Sequence, residues 1–165
     1  MDIEDGNFVS NITFGLKTIR ALREITYLPF SFHLMVTRQL EFLGEVASLK
    51  PSIVFGHFEA LPYPGEFVGL AKEKGAKCGF AFNPATPVEP VAYLMGDIDG
   101  ILLMSSEPDR MGECFIANVY EKIKAIRGIS KSIPIWIDGG VTREHLDKLR
   151  EAGATNAVMG RAFFA

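Results

Sequence analysis

An α/β fold of the TIM (β/α)₈ barrel type, with part of its eight units missing, is what the sequence predicts on three observations. Short apolar runs alternate with longer amphipathic stretches along all 165 residues. The runs are continuously apolar rather than alternating, as parallel strands covered on both faces require. They end in polar or glycine residues, on the side of such folds where chemistry collects. The length suits a single domain over residues 1–165, burying ~68–70% of its unfolded surface. A complete barrel, however, takes ~200 residues or more.

The elements follow in order. Residues 1–4 read as a truncated first strand, and 13–26 as a helix with Phe14, Ile19, Leu22 and Ile25 near helical spacing. Residues 29–36 (PFSFHLMV) are a strand. Residues 37–50 carry Leu40, Leu43, Val46 and Leu49 on one helical face, with Thr37 as N-cap. Residues 52–59 (SIVFGHFE) are a strand, and 64–75 a helix opened by Pro64 and closed by Gly75. A strand at 77–83, a short helix at 87–95 and a strand at 100–105 come next. Residues 115–127 form a helix with Gly128 beyond its end. Residues 134–138 (PIWID) are a strand, and 142–153 a helix with Thr142 and His145 in a capping-box arrangement. Residues 156–160 (NAVMG) are the last strand. Helices between parallel strands make right-handed crossovers.

Composition narrows the function classes. With 48% hydrophobic and 22% charged residues, the chain is neither disordered, collagen-like nor a disulfide-dense module. A net charge of −3, from 17 basic and 20 acidic residues, argues against a general affinity for nucleic acid or a membrane surface. Cys78 and Cys114 stand in no metal-ligand or CxxC spacing and read as reduced thiols. No leader and no apolar run of ~18 residues is present, so the expected location is the cytoplasm.

The strand ends carry the candidate chemistry. They hold Asp2, Glu4, Asp5 and Gly6; His33; His57 and Glu59; Asn83; Ser105, Ser106 and Glu107; Asp138, Gly139 and Gly140; and Gly160 with Arg161. Converging Asp and His suit a divalent metal or an acid–base pair. A Gly-Gly leading into a helix suits phosphate through exposed backbone N–H groups. Taken singly, each has a plainer reading. His33 can be a hydrogen-bonded core histidine, Asp138-Gly139-Gly140 a capping turn and Asp5-Gly6 a turn. His57 and Glu59 read as structural or as supports of a ligand, and Met35 and Met104 as strand core.

Read together, the motifs are more specific. They run in order as DIEDGNFV with NITFG (residues 2–9 and 11–15), HLMV (33–36), HFEA (57–60), NPATP (83–87), Met104-Ser105, the 108–115 stretch, Asp138-Gly139-Gly140, and EAGA (151–154). This series resembles the ribulose-phosphate 3-epimerase family along nearly the whole chain.

The resemblance implies a barrel of the ribulose-phosphate-binding type and interconversion of ribulose 5-phosphate and xylulose 5-phosphate in the pentose phosphate pathway. In that chemistry two aspartates on opposite faces of the ketose act as acid and base, and a divalent metal (Zn, Fe, Mn or Co) holds the oxygens that gain charge. Asp2 and Asp138 match the two aspartates, which are also metal ligands, and His33 matches a third ligand. Met35 and Met104 match the sulfur-lined floor. Gly112, Gly139, Gly140, Gly160 and Arg161 fall at the substrate and phosphate positions.

The sequence also departs from the family pattern. The family's histidine two positions before the first aspartate would precede Met1. The first strand and helix and the last helix are absent. Glu4 stands where methionine is usual, the family's phosphate loop corresponds to Glu107-Pro108-Asp109-Arg110-Met111-Gly112 with two glycines fewer, and Arg161 replaces serine. These departures lead to an expectation of weak or absent turnover. They also suggest homo-oligomers or association through the open barrel edge. The alternatives are a non-catalytic shortened form that pairs with a full-length epimerase, or an epimerase of a phosphorylated hexulose.

Overall fold

The structure, a computed structural model, describes residues 1–108 and 114–164. The chain divides into two compact units, residues 1–80 and 81–165. The first contains β1 (Asp2–Glu4), α1 (Leu16–Ile25), β2 (Ser31–Met35), α2 (Gln39–Ala47), β3 (Ile53–His57), α3 (Pro64–Glu73) and the start of β4 (Cys78–Phe82). Its strands lie side by side in chain order, and the β1–β2 and β2–β3 pairs are parallel. The register sets Asp2 beside His33 and Glu4 beside Met35. The fully buried Ile19, Phe32, Leu34, Leu43, Phe55 and Phe67 form this unit's core.

The second unit holds the end of β4, then β5 (Gly100–Met104), α4 (Val119–Ile129), β6 (Ile135–Asp138), α5 (Leu146–Ala152), β7 (Asn156–Ala157) and α6 (Arg161–Phe164). Its strands also follow chain order, with β5–β6 and β6–β7 parallel. Phe82, Ile101, Leu103, Ile123, Ile126 and Ile135 are fully buried. The alternation of parallel strands with helices is that of the TIM-barrel class. Among the described residues, no helix is long and apolar enough to cross a membrane.

Continuous apolar runs mark strands buried on both faces, and every residue of β3, β4 and β5 is buried. Pro64 opens α3, and Gly75 follows it in the left-handed region at φ 67°. Thr142 and His145 form the expected capping box, although the first turn is 3₁₀ (Arg143–His145) before α5 begins. The segment at 87–95 is likewise 3₁₀, over Glu89–Leu94.

Three expectations are corrected. Thr37 does not cap α2, which starts at Gln39; its backbone N–H instead donates to Asp5 Oδ2 at 2.8 Å. The helix placed at 115–127 runs from Val119 to Ile129, so Gly128 lies inside its last turn. The last strand is only Asn156–Ala157, both exposed, with Val158 N–H adding one further bond to Ile137 O at 2.8 Å.

Arg127, in the last turn of α4, anchors that turn. Its guanidinium donates to Gly153 O (2.6 and 3.0 Å), Ile133 O (2.7 Å) and Ser130 O (3.3 Å). One planar fork thus ties the end of α4 to the turns before β6 and β7. Gly153 sits at φ 110°, where a Cβ would meet Arg127 Nε at 2.9 Å, so only glycine leaves room for it. Arg127→Met keeps the stem but leaves these part-buried carbonyls unpaired. It should lower the unfolding free energy by about 2–4 kcal/mol, read by urea denaturation, with Arg127→Lys recovering only part of the loss.

Candidate active site

Asp2 and His33 meet at the register position of β1 and β2, with His33 Nδ1 3.4 Å from Asp2 Oδ1. Burial works against ionisation of Asp2, but the hydrogen bond and charge of His33 outweigh it and hold the carboxyl below its ordinary value. His33 is buried, and its Nε2 lies 2.8 Å from Nε2 of the fully buried His57. His57 Nδ1 lies 3.0 Å from Glu59 Oε2. Gln39 Nε2 donates to His57 O at 2.8 Å, and the Phe8 ring packs on the His57 ring with centroids 4.5 Å apart.

The DIEDGNFV and NITFG motif is the support for this corner. Asp5 Oδ1 accepts from the backbone N–H of Asn7 and Phe8, each at 2.9 Å, while Oδ2 accepts from Thr37 N–H. Thr13 Oγ1 donates to Asp2 O at 2.8 Å and accepts from Glu4 N–H at 3.1 Å. Asn11 Nδ2 donates to Oε2 of the buried Glu4 at 2.9 Å. The loop therefore folds back along β1 and fixes the strand that carries Asp2. Asp5 combines turn and clamp: burial raises its pKa, but the N–H groups of Thr37, Phe8 and Asn7 outweigh this and lower it.

In the second unit, β5 and β6 set Met104 beside Asp138. Ser105 N–H donates to Asp138 O at 2.6 Å, and Ser105 Oγ lies 3.0 Å from Asp138 O and 2.6 Å from Gly139 O. The chain then turns through Gly139 at φ 106° and Gly140 at φ 63°. A Cβ on Gly139 would lie 2.8 Å from Ser106 N, so the turn requires glycine for both conformation and space. A cavity of about 410 Å³ opens here, lined by Asp138, Gly139, Gly140, Thr142, Gly160 and Arg161 among others.

Asp2, His33 and Met35 therefore lie in the first unit, with Met35 buried at the end of β2. Met104, Asp138, Gly139, Gly140, Gly160 and Arg161 lie in the second. Gly112 lies outside the described residues. Gln39, Phe8 and the buried Lys122, whose Nζ donates to Asn83 O at 2.6 Å, were not legible as site supports. The only signal in reach was the His57-x-Glu59 spacing at a strand end. Cys78 and Cys114 are both free thiols.

The model of the "Ribulose-phosphate 3 epimerase family" matches residues 1–164. The chain is 36% identical to the ribulose-phosphate 3-epimerase of Bacillus subtilis over 99% of its length and 78% of that protein. It is 36% identical to the enzyme of that name from Escherichia coli K12, over 99% and 75%. Among solved structures, the tryptophan synthase α-subunit of Pyrococcus furiosus superposes with a TM-score of 0.67 at 22% identity, a likeness of fold alone. That match covers 90% of this chain, which spans 64% of the α-subunit's length.

The Asp5 clamp has a measurable consequence. Asp5→Asn turns an acceptor toward Thr37 N–H into a donor and should cost about 1–3 kcal/mol at neutral pH. Because the folded pKa of Asp5 is depressed, its contribution is complete above the ordinary carboxylate value of 3.8. It is lost as pH falls through the folded pKa. The stability gap between wild type and variant, measured by denaturation at several pH values, should therefore close on acidification.

Proposed function

Because the chain belongs to the ribulose-phosphate 3-epimerase family, we propose that it interconverts ribulose 5-phosphate and xylulose 5-phosphate by proton transfer at C3. The observation that carries this reading is the Asp2–His33 pair, brought to 3.4 Å at neighbouring strand ends. A carboxylate oxygen and, once deprotonated, an imidazole nitrogen would each offer a lone pair to a cation there. Such a pair fits a divalent cation such as Zn, Fe, Mn or Co. Asp138, at the end of β6, is the further ligand and the second acid–base group.

When bound, the cation would supply Lewis-acid stabilisation of the charge that develops on substrate oxygen, worth several kcal/mol. The protein's own groups do the rest. One of Asp2 and Asp138 takes the C3 proton on a carboxylate oxygen, and the other returns a proton to the opposite face. Met35 and Met104, both buried at strand ends, shield the reacting carbon from water. Gly139, Gly140 and Arg161 line the same cavity, where backbone N–H groups and a guanidinium would receive the phosphate.

The test is turnover of ribulose 5-phosphate in D₂O by the chain loaded with Mn²⁺ or Zn²⁺, with deuterium at C3 as readout. Asp2→Asn and Asp138→Asn should each lower the rate by about 10²–10⁴-fold. Chelation should abolish turnover, and re-addition of metal should restore it. Unchanged turnover in Asp138→Asn would overturn the two-aspartate assignment.

A further inference from the structure

We propose that His145 is a proton-sensitive clasp on the wall of the cavity beside Asp138: when neutral it holds the turn that carries Thr142, and protonation opens that turn. The clasp uses neither the metal ligands nor the acid–base groups assigned above.

The backbone settles the direction of the contact. Thr142 N–H donates to His145 Nδ1 at 3.1 Å. An amide N–H can only donate, so this nitrogen carries a lone pair and the ring holds its proton on Nε2. In return, His145 N–H bonds the Thr142 side chain. The two residues close a capping box in which an imidazole stands where Glu or Gln is usual. The exchange matters because a glutamine oxygen accepts at any pH, whereas imidazole takes up a proton between about pH 5 and 8. With a proton on Nδ1, two donors face each other across 3.1 Å. Thr142 Oγ1, also 3.1 Å from Nδ1, can turn to accept the new proton. The backbone N–H has no such freedom and loses its partner.

The ring itself stays in place. Phe115 stacks on it with centroids 3.9 Å apart and planes 13° from parallel, and Phe115 packs in turn on Tyr120 of α4. An aromatic face attracts a cation, so the stack survives protonation. The displacement therefore falls on the backbone of Thr142, a residue lining the cavity proposed above to receive the phosphate. The charged neighbours are Arg143 and Glu144 on the same turn and Asp147 and Lys148 on α5, all exposed. Asp147 lies 3.5 Å from Arg150, and Lys148 Nζ lies 4.5 Å from the Tyr120 ring centroid. Tyr120 is neutral across this range, because burial raises its pKa. Carboxylates titrate near pH 4, well below imidazole.

An NMR titration of the whole chain from about pH 8 to 5 tests the clasp over the range of imidazole. The His145 Cε1–H resonance, assigned by substitution, marks protonation, and the Thr142 amide reports the turn. The Thr142 amide shift should follow the His145 midpoint, and its hydrogen-exchange protection factor should drop about 2–10-fold, the size of one net hydrogen bond. His145→Gln, which restores the usual box, should keep the amide protected and remove the pH dependence. His145→Ala should leave it poorly protected throughout. A Thr142 amide that ignores the His145 titration, or one that loses protection in His145→Gln as it does in the wild type, overturns the inference. If His145→Gln does not fold, the wild-type titration decides alone.

Discussion

Two buried imidazoles in an apolar sheet are the constraint around which the first unit is arranged. His33 and His57 lie on neighbouring parallel strands, both buried, with their Nε2 atoms 2.8 Å apart. Buried polar atoms need partners, and a carboxylate closes each end of this pair: Asp2 Oδ1 lies 3.4 Å from His33 Nδ1, and Glu59 Oε2 lies 3.0 Å from His57 Nδ1. The short strand carrying Asp2 and the turn carrying Glu59 are thus both tied to the same two rings.

The loop after β1 serves the same end by other means. Asp2 lies on a strand of three residues, too short to be held by its ladder alone. Asp5 and Thr13 supply the missing restraint, the first by gathering three backbone N–H groups and the second by bridging Asp2 O and Glu4 N–H. Asn11 meets the carboxylate of the buried Glu4. The motif thus places Asp2 beside His33 and commits Asp5 to backbone N–H groups.

What could be read in advance divides along the range of the interactions. Strands β3 to β5 were legible because burial on both faces leaves an unbroken apolar run, and the Pro64 start, the Gly75 end and the Thr142–His145 box are written within a few residues of where they act. Thr37 was misread because its amide is claimed by Asp5, 32 positions away. Gly128 resembled a helix end because glycine commonly follows one, yet α4 runs on to Ile129; the Arg127 bond to a carbonyl 26 positions on left no local signal. The apolar letters at 156–160 did not show that only Asn156 and Ala157 would pair. Among candidate site residues, the order of motifs singled out Asp2, His33 and Asp138 as candidates, whereas the 2.8 Å contact joining His33 to His57 spans 24 positions and leaves no local pattern.

The two units build their strand-end chemistry from different materials, and this predicts different tolerances. In the first, the strand ends carry side chains in close polar contact, Asp2 with His33, His33 with His57 and His57 with Glu59. A substitution can keep its shape and still fail by reversing a donor and an acceptor. In the second, the turn after β6 is made of backbone at positive φ, braced by Ser105 on the carbonyls of Asp138 and Gly139. Polarity matters little at Gly139, because any Cβ meets Ser106 N. Steric space is the limiting quantity there. A contact between side chains can be retuned by its neighbours, but a backbone turn at φ 106° pressed against Ser106 has no room for a Cβ, so glycine is the residue the turn cannot exchange.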